Sequence, residues 1–279
     1  MTVDVEDYFQ VSAFENQISR EDWDRLPCRV ERNVERILGM FSDKGVKATF
    51  FTLGWIAERY PGVVRQIVEA GHELASHGWS HVRATEQDRD ELYADVTRTK
   101  SFLEDLSGAP ILGYRAASYS IGERNLWALE VLEEAGYRYS SSIFPIRHDL
   151  YGMPEAPRFA FHPNPASEFL EIPVTTVELG EKKLPCGGGG WFRLFPYALS
   201  RWAMRRVNAR DAQSCVFYFH PWEIDPDQPR QKGLAAKTRF RHYLNLNRME
   251  RRLDSLLDDF RWGRMDDVFL GRMPGPDLS

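Results

Sequence analysis

Short runs of mostly apolar residues alternate along this chain with longer stretches whose apolar residues return every three or four positions. The first rhythm suits a buried strand, the second a helix laid over it. Residues 1–8 form the first strand-like run. Val30, Val34, Ile37, Leu38 and Phe41 then mark a helix over 30–41, and residues 46–54 (VKATFFTLG) read as a buried strand with glycine at its far end. The next helix, 61–70, begins with Pro61 and stops at Gly71, in keeping with proline in a first turn and glycine just past a last one. The strand HELASH follows at 72–77, a helix at 86–106, a strand at 111–115, a helix at 125–135 ended by Gly136, and a strand at 137–144. Four such strand–helix units in series predict a parallel sheet with crossover helices, either closed as a barrel or wound on both faces.

Beyond Pro145 the rhythm breaks. Residues 148–169 are rich in proline and turn formers yet keep their aromatics, which predicts a long excursion packed on the body, not a linker. Residues 170–179 read as a strand, 185–196 (PCGGGGWFRLFP) as a glycine loop leading to a helix at 197–207, and 214–225 as an apolar strand ending in polar residues. A helix at 246–260 and a short element at 262–270 complete the pattern, without internal repeats. A length of 279 residues accommodates all of this as a single domain of α/β-barrel size.

Composition excludes several function classes. With 43% hydrophobic and 13% aromatic residues the core is ample, and 28% charged residues with a net charge of -5 describe an ordinary surface. Nucleic acid is not expected as a partner, because phosphate binding needs clustered Lys and Arg. The arginines of 201–210 and 248–252 alternate with apolar residues as the solvated faces of helices do. Cys28, Cys186 and Cys215 are too few and scattered for a disulfide framework and form no CxxC metal pattern, which suits a reduced compartment. The start MTVDVEDYF lacks the regions of a secretion signal, and no run approaches the roughly 18 apolar residues of a membrane span. The expectation is a cytoplasmic protein without an integral membrane segment.

Candidate chemistry concentrates in GHELASHGWSH, residues 71–81, which holds three of the seven histidines. His77 and His81 are four apart at the end of a strand, where two imidazoles can converge on one ion, whereas His72 sits at the opposite end of that strand and reads as structural. A divalent ion held by two imidazoles ordinarily takes a carboxylate as third ligand. The first strand offers Asp4, Glu6 and Asp7, acids that are costly inside an apolar run unless paired or metal-bound, with Asp4 and Glu6 on the same side. His220 closes the apolar run 216–219 and so stands at the lip of a buried strand; Arg115 ends another and could orient a carboxylate. The four glycines 187–190 allow close backbone approach, but no GKS or GKT follows, so they are not a phosphate loop.

Taken in order, TVDVEDYF, GHELASHGWSH, GYRAASYS, YRYSSSIFP and FYFHPWE resemble the polysaccharide deacetylase family (carbohydrate esterase family four, the NodB-homology domain) over about residues 1–270. The stretches SSIFPIRHDLYG, LPCGGGGWFRLFPYAL and FHPWEIDPDQPR resemble its bacterial subgroup associated with exopolysaccharide and exosortase loci. The resemblance implies a distorted (β/α) barrel of the glycoside hydrolase/deacetylase type. It would be one catalytic domain over 1–279, with subgroup-specific loops from about 145 onward. It also implies a metal-dependent hydrolase that removes N-acetyl groups from sugars of a bacterial polysaccharide or its precursor, with N-acetylated carbohydrate as its partner. His77 and His81 then correspond to the metal imidazoles, Glu6 or Asp7 to the acidic ligand, Asp4 to the general base, His220 to the general acid and Arg115 to the group holding the base. Zinc is the expected ion, with cobalt, nickel or manganese as substitutes. Trp79, Tyr119, Trp191 and Trp222 lie on or beside these motifs and are candidate sugar contacts. The pattern departs from the family where Val5 separates Asp4 from Glu6, where Ala117 replaces a proline, and where Ser140 replaces an aspartate. Alternatives are an allantoinase-like hydrolase of a cyclic amide or ureide, and a non-catalytic carbohydrate-binding relative.

Overall fold

In the computed structural model, which describes residues 1–148, 151–180 and 182–271, the chain begins with β1 (Thr2–Val5), α1 (Val30–Asp43) and β2 (Thr49–Thr52). There follow α2 (Gly54–Arg59), α3 (Pro61–Glu69), β3 (Glu73–Ser76), α4 (Arg89–Ser107), β4 (Gly113–Tyr114), α5 (Trp127–Glu134) and β5 (Tyr139–Ser140). The second half contributes β6 (Leu170–Glu171), β7 (Thr176–Leu179), β8 (Lys182–Pro185), α6 (Gly189–Leu194), α7 (Tyr197–Arg206), β9 (Tyr218–Phe219), α8 (Ala236–Tyr243) and α9 (Leu246–Asp259). Seven strands pair in parallel in the order β6-β5-β4-β3-β2-β1-β9, a curled, incomplete barrel with helices outside it. The expected distorted (β/α) barrel is the observed fold class.

Local chemistry explains the elements. Val30, Val34, Ile37 and Phe41 form the buried face of α1. Helix α4 starts with a capping box between Asp88 and Glu91 and ends at Gly108, whose φ of 67° is the left-handed conformation glycine adopts freely. The run 170–179 is divided: β6 joins the main sheet, Pro173 follows, and β7 pairs instead with β8 as a separate antiparallel ribbon. Proline lacks the N–H that a continuous ladder would need. The expected glycine loop itself contains α6, and the expected strand 214–225 belongs to the sheet only at Tyr218–Phe219, because Pro221 turns the chain.

One pairing joins the two ends of the chain at the candidate site. Strand β9, from the far end of the sequence, lies beside β1, with Thr2 opposite Tyr218 and Val3 opposite Phe219. Because every strand of the sheet is parallel, residues 4–6, 77, 115 and 220 all emerge on the same rim, the face on which barrels of this class assemble their chemistry. Among the described residues no helix is long and apolar enough to cross a membrane.

Candidate active site

Alternation along β1 turns Thr2, Asp4 and then Glu6 to one side, and all three are buried. His77 follows β3 directly. The chain then turns through Gly78 (φ 74°) to His81, whose own φ of 53° is a conformation that costs an L residue about 1 kcal/mol or more. The turn is held from both sides: Asp95 of α4 accepts from the Trp79 N–H (3.2 Å), and Arg20 donates to the carbonyls of Ser80 (2.8 Å) and His81 (3.2 Å). Residues 118 and 119 are likewise left-handed, at φ 54° and 53°, and Ser118 is tied to Ser12 by a 2.5 Å hydroxyl contact, so the Ala117 loop is fixed without a proline.

Donor atoms of Glu6, His77 and His81 lie within 4.8 Å of one another. The His77 Nδ1 donates to the Arg115 carbonyl (2.8 Å), leaving its Nε2 lone pair for the cleft. Burial lowers the pKa of both imidazoles, His81 well below the usual histidine value with His77 and His220 adding to the effect, so both are neutral donors. Among the described residues nothing donates a hydrogen bond to Oε2 of Glu6, which lies 3.1 Å from His81 Nε2, and burial pushes this carboxyl up to about 7. Two ring nitrogens and a carboxylate oxygen turned toward one another offer their lone pairs to a shared cation, or to a proton on Glu6 or His81 where no cation is bound. Two nitrogens and one oxygen suit a zinc-type divalent ion.

Asp4 is anchored separately. The fully buried Arg115 donates to Asp4 Oδ1 (2.6 Å), Thr2 Oγ1 (2.8 Å), the Ser141 carbonyl (3.0 Å) and Ser141 Oγ (2.9 Å). Oδ2 of Asp4 remains toward the cleft, 3.5 Å from the Tyr119 hydroxyl and 3.9 Å from His220 Nε2. Glu171 of β6 accepts from the N–H groups of Ser142 (2.9 Å) and Ile143 (2.8 Å), beside the Ser141 that holds Arg115.

His220 has its own scaffold. Its Nε2 is 3.1 Å from Glu6 Oε1 and its Nδ1 3.2 Å from Glu223 Oε2. Glu223 is in turn held by buried Arg193 at 2.8 Å. Burial alone would lower His220, but the Glu6 and Glu223 carboxylates overcome it and raise it to about 9. Burial would raise Glu223, yet Arg193 and His220 hold it at about 2. The imidazole stacks on Trp222 at 5.2 Å and 19°.

The structure therefore brings Asp4, Glu6, His77, His81, Arg115 and His220 to one cleft of about 1080 Å³, with Tyr119 and Trp222 in its lining. Two candidates face elsewhere. The carboxylate of Asp7 accepts from the N–H groups of Tyr8 and Arg29 and from the Cys28 thiol, at the start of α1, so it is turned from the histidines and Glu6 is the carboxylate that meets them. Trp79 is buried against Gly54 and Phe102 with the Arg98 guanidinium on its ring, outside the cleft lining. Trp191 lines an adjoining trough. Sequence reading missed Glu223, Arg193, Glu171, Asp95 and Tyr218. Only Glu223, three residues after His220 in HPWE, carried a local signal.

Comparisons with known proteins find likenesses in sequence and in fold. Residues 22–140 match the family described as polysaccharide deacetylase, and residues 141–270 match a domain of unknown function, DUF3473. A peptidoglycan-N-acetylglucosamine deacetylase of Listeria monocytogenes is 36% identical over 72 residues, 26% of this chain and 16% of that protein, so the match spans about a sixth of that curated relative. Among solved structures, a Mycobacterium smegmatis protein assigned to the polysaccharide deacetylases superposes over 100% of this chain and 92% of its own, with a TM-score of 0.60 at 21% identity. The allantoinase Puue superposes over 96% and 87%, with a TM-score of 0.59 at 18% identity.

Proposed function

We infer, for a chain that belongs through residues 22–140 to the polysaccharide deacetylase family, a metal-dependent de-N-acetylase acting on N-acetylated sugars of a bacterial polysaccharide or its precursor. The observation that carries this reading is the convergence of Glu6, His77 and His81 beside two independently anchored proton-transfer groups, Asp4 and His220. Glu6, His77 and His81 would hold the ion, zinc by preference. Bound there, a divalent cation would supply Lewis acidity to the acetyl carbonyl and acidify water.

The remaining work belongs to side chains of this chain. Oδ2 of Asp4 accepts a proton from the attacking water, while Arg115 keeps Oδ1 occupied and the carboxylate aimed. His220, its Nδ1 held by Glu223, delivers a proton from Nε2 to the departing amine nitrogen. Glu223 fixes the ring by occupying Nδ1, and Arg193 fixes Glu223. A proton acceptor and a proton donor in one cleft are what amide hydrolysis requires. A single catalytic unit over 1–279 is supported by the β1–β9 pairing, which joins the two matched segments. The exopolysaccharide assignment draws on the LPCGGGGWFRLFPYAL and FHPWEIDPDQPR stretches.

Acetate release tests the reading, with the zinc-, cobalt- or manganese-supplemented protein offered N-acetylglucosamine oligomers, peptidoglycan fragments, allantoin and cyclic imides. Release from acetylated sugars alone is expected. Ring opening of a ureide would transfer the site to the allantoinase reading, and glycan binding without release would make the chain a binding protein.

A further inference from the structure

The four glycines at 187–190 do not have one explanation. A methyl at Gly187 would overlap the Val216 carbonyl, one at Gly188 would press on the Tyr218 ring at 2.8 Å, and one at Gly189 would overlap the Glu223 carboxylate. These three are dictated by packing against the strand and loop that present His220. Gly190 is different. A Cβ there meets nothing within 4 Å, its φ is not positive, and it is the second residue of helix α6, so neither packing nor backbone conformation calls for glycine.

Gly190 is exposed and borders two hollows, so a side chain there would stand at their junction. Gly190 lines both the catalytic cleft and a contiguous trough of about 700 Å³, and Tyr151, Tyr218 and Arg241 are shared between the two. Beyond that junction Trp191, Leu194, Phe240 and Leu244 line the trough together with His148. Phe240 is 56% exposed and Leu194 42%, large apolar groups left in water on a concave surface that continues the cleft. Trp191 could stack on one face of a sugar ring, but a ring also brings several hydroxyls, each needing a partner when dehydrated, and apart from His148 and Arg241 this wall is hydrocarbon and aromatic.

Resting on the deacetylase reading, we propose that the trough seats the hydrocarbon chain of an N-acetylated glycolipid whose acetamido sugar occupies the cleft, and that Gly190 keeps the passage between them open. The substrate class is thus an acetamido sugar carried on an alkyl or polyprenyl chain, not a free polymer.

The test compares methyl and octyl β-N-acetylglucosaminide, the latter below its micellar concentration, with a chitotetraose control on the zinc-loaded full chain. Burial of several methylenes predicts a KM for the octyl glycoside lower by roughly tenfold or more, at similar kcat. The double variant Leu194→Ser/Phe240→Ser and the variant Gly190→Leu should each bring the octyl KM up to the methyl value. Equal KM for methyl and octyl glycosides in the unaltered protein, or a gain that follows the number of sugar rings, would overturn the proposal. If no acetamido sugar releases acetate, the deacetylase reading fails on its own. Titration calorimetry then decides the trough: octyl-selective binding lost in the double variant supports it, and no preference for octyl over methyl overturns it.

Discussion

Glu6 and Asp7 are neighbours in sequence and part company in the fold. Glu6 faces two neutral imidazoles with an oxygen that accepts no hydrogen bond from the described residues, whereas Asp7 spends its carboxylate on the Arg29 and Tyr8 N–H groups at the head of α1. The pair therefore separates metal loss from stability loss. Glu6→Gln and His77→Ala should emerge from purification with little bound zinc by elemental analysis. Asp7→Ala should keep its zinc and lose about 1–2 kcal/mol in denaturant unfolding, the ordinary loss for a helix N-terminus deprived of its acceptor. A metal-free Asp7→Ala protein would return the ligand role to Asp7. His220 offers a second residue-scale test. Its folded pKa is raised to about 9 by Glu6 and Glu223 against the opposing effect of burial, so the stability it contributes is complete below about 6.5 and is lost as pH rises through 9. In chelator-treated protein the stability advantage of wild type over His220→Gln should shrink steadily between pH 7 and 9. An advantage that grew over that interval would contradict the ion-pair geometry.

At the scale of elements, the parts legible in the sequence were those whose chemistry is local. Periodicity located β1 to β5 and, between them, α1, α3, α4 and α5, because each helix sets one buried face against one solvated face and each strand is a short apolar run. HxxxH at a strand end and acids inside an apolar strand were visible for the same reason: residue type and spacing alone state the anomaly. What stayed hidden depends on who the neighbour is. Arg193 sits in a glycine-rich stretch and means nothing until α6 brings it to Glu223, and Glu171 looks like a surface acid until β6 pairs with β5 and turns it toward Ser142 and Ile143. Trp79 misled in the opposite sense. Its place between the two histidines suggested the cleft, but Gly54 opens a slot behind the loop and the ring fills it. Helix α2 and helix α8 escaped because one is short and the other is mostly polar, leaving little apolar rhythm to read.

At the scale of the whole molecule, the two matched segments do not divide the structure where they divide the sequence. The boundary at residue 140 falls inside the sheet, between β5 and its partner β6. The far edge is also crossed, since Thr2 gives both its N–H (2.8 Å) and its hydroxyl (2.9 Å) to the Phe217 carbonyl. Asp225 accepts from Arg29, Arg32 and Asn33 of the α1 region, and the Met265 N–H reaches the Thr49 hydroxyl on β2 (2.8 Å). A chain cut after residue 140 would expose β1 and β5 as open edges, strip apolar cover from β1 and β2, and leave the buried acids of the rim without His220. Residues 1–140 alone should therefore show no cooperative thermal transition and bind zinc poorly, while residues 1–271 melt in a single step that zinc shifts upward. A folded, zinc-binding 1–140 fragment would mean that the second segment is an addition to a finished domain, and the shared-sheet account of the site would have to be abandoned.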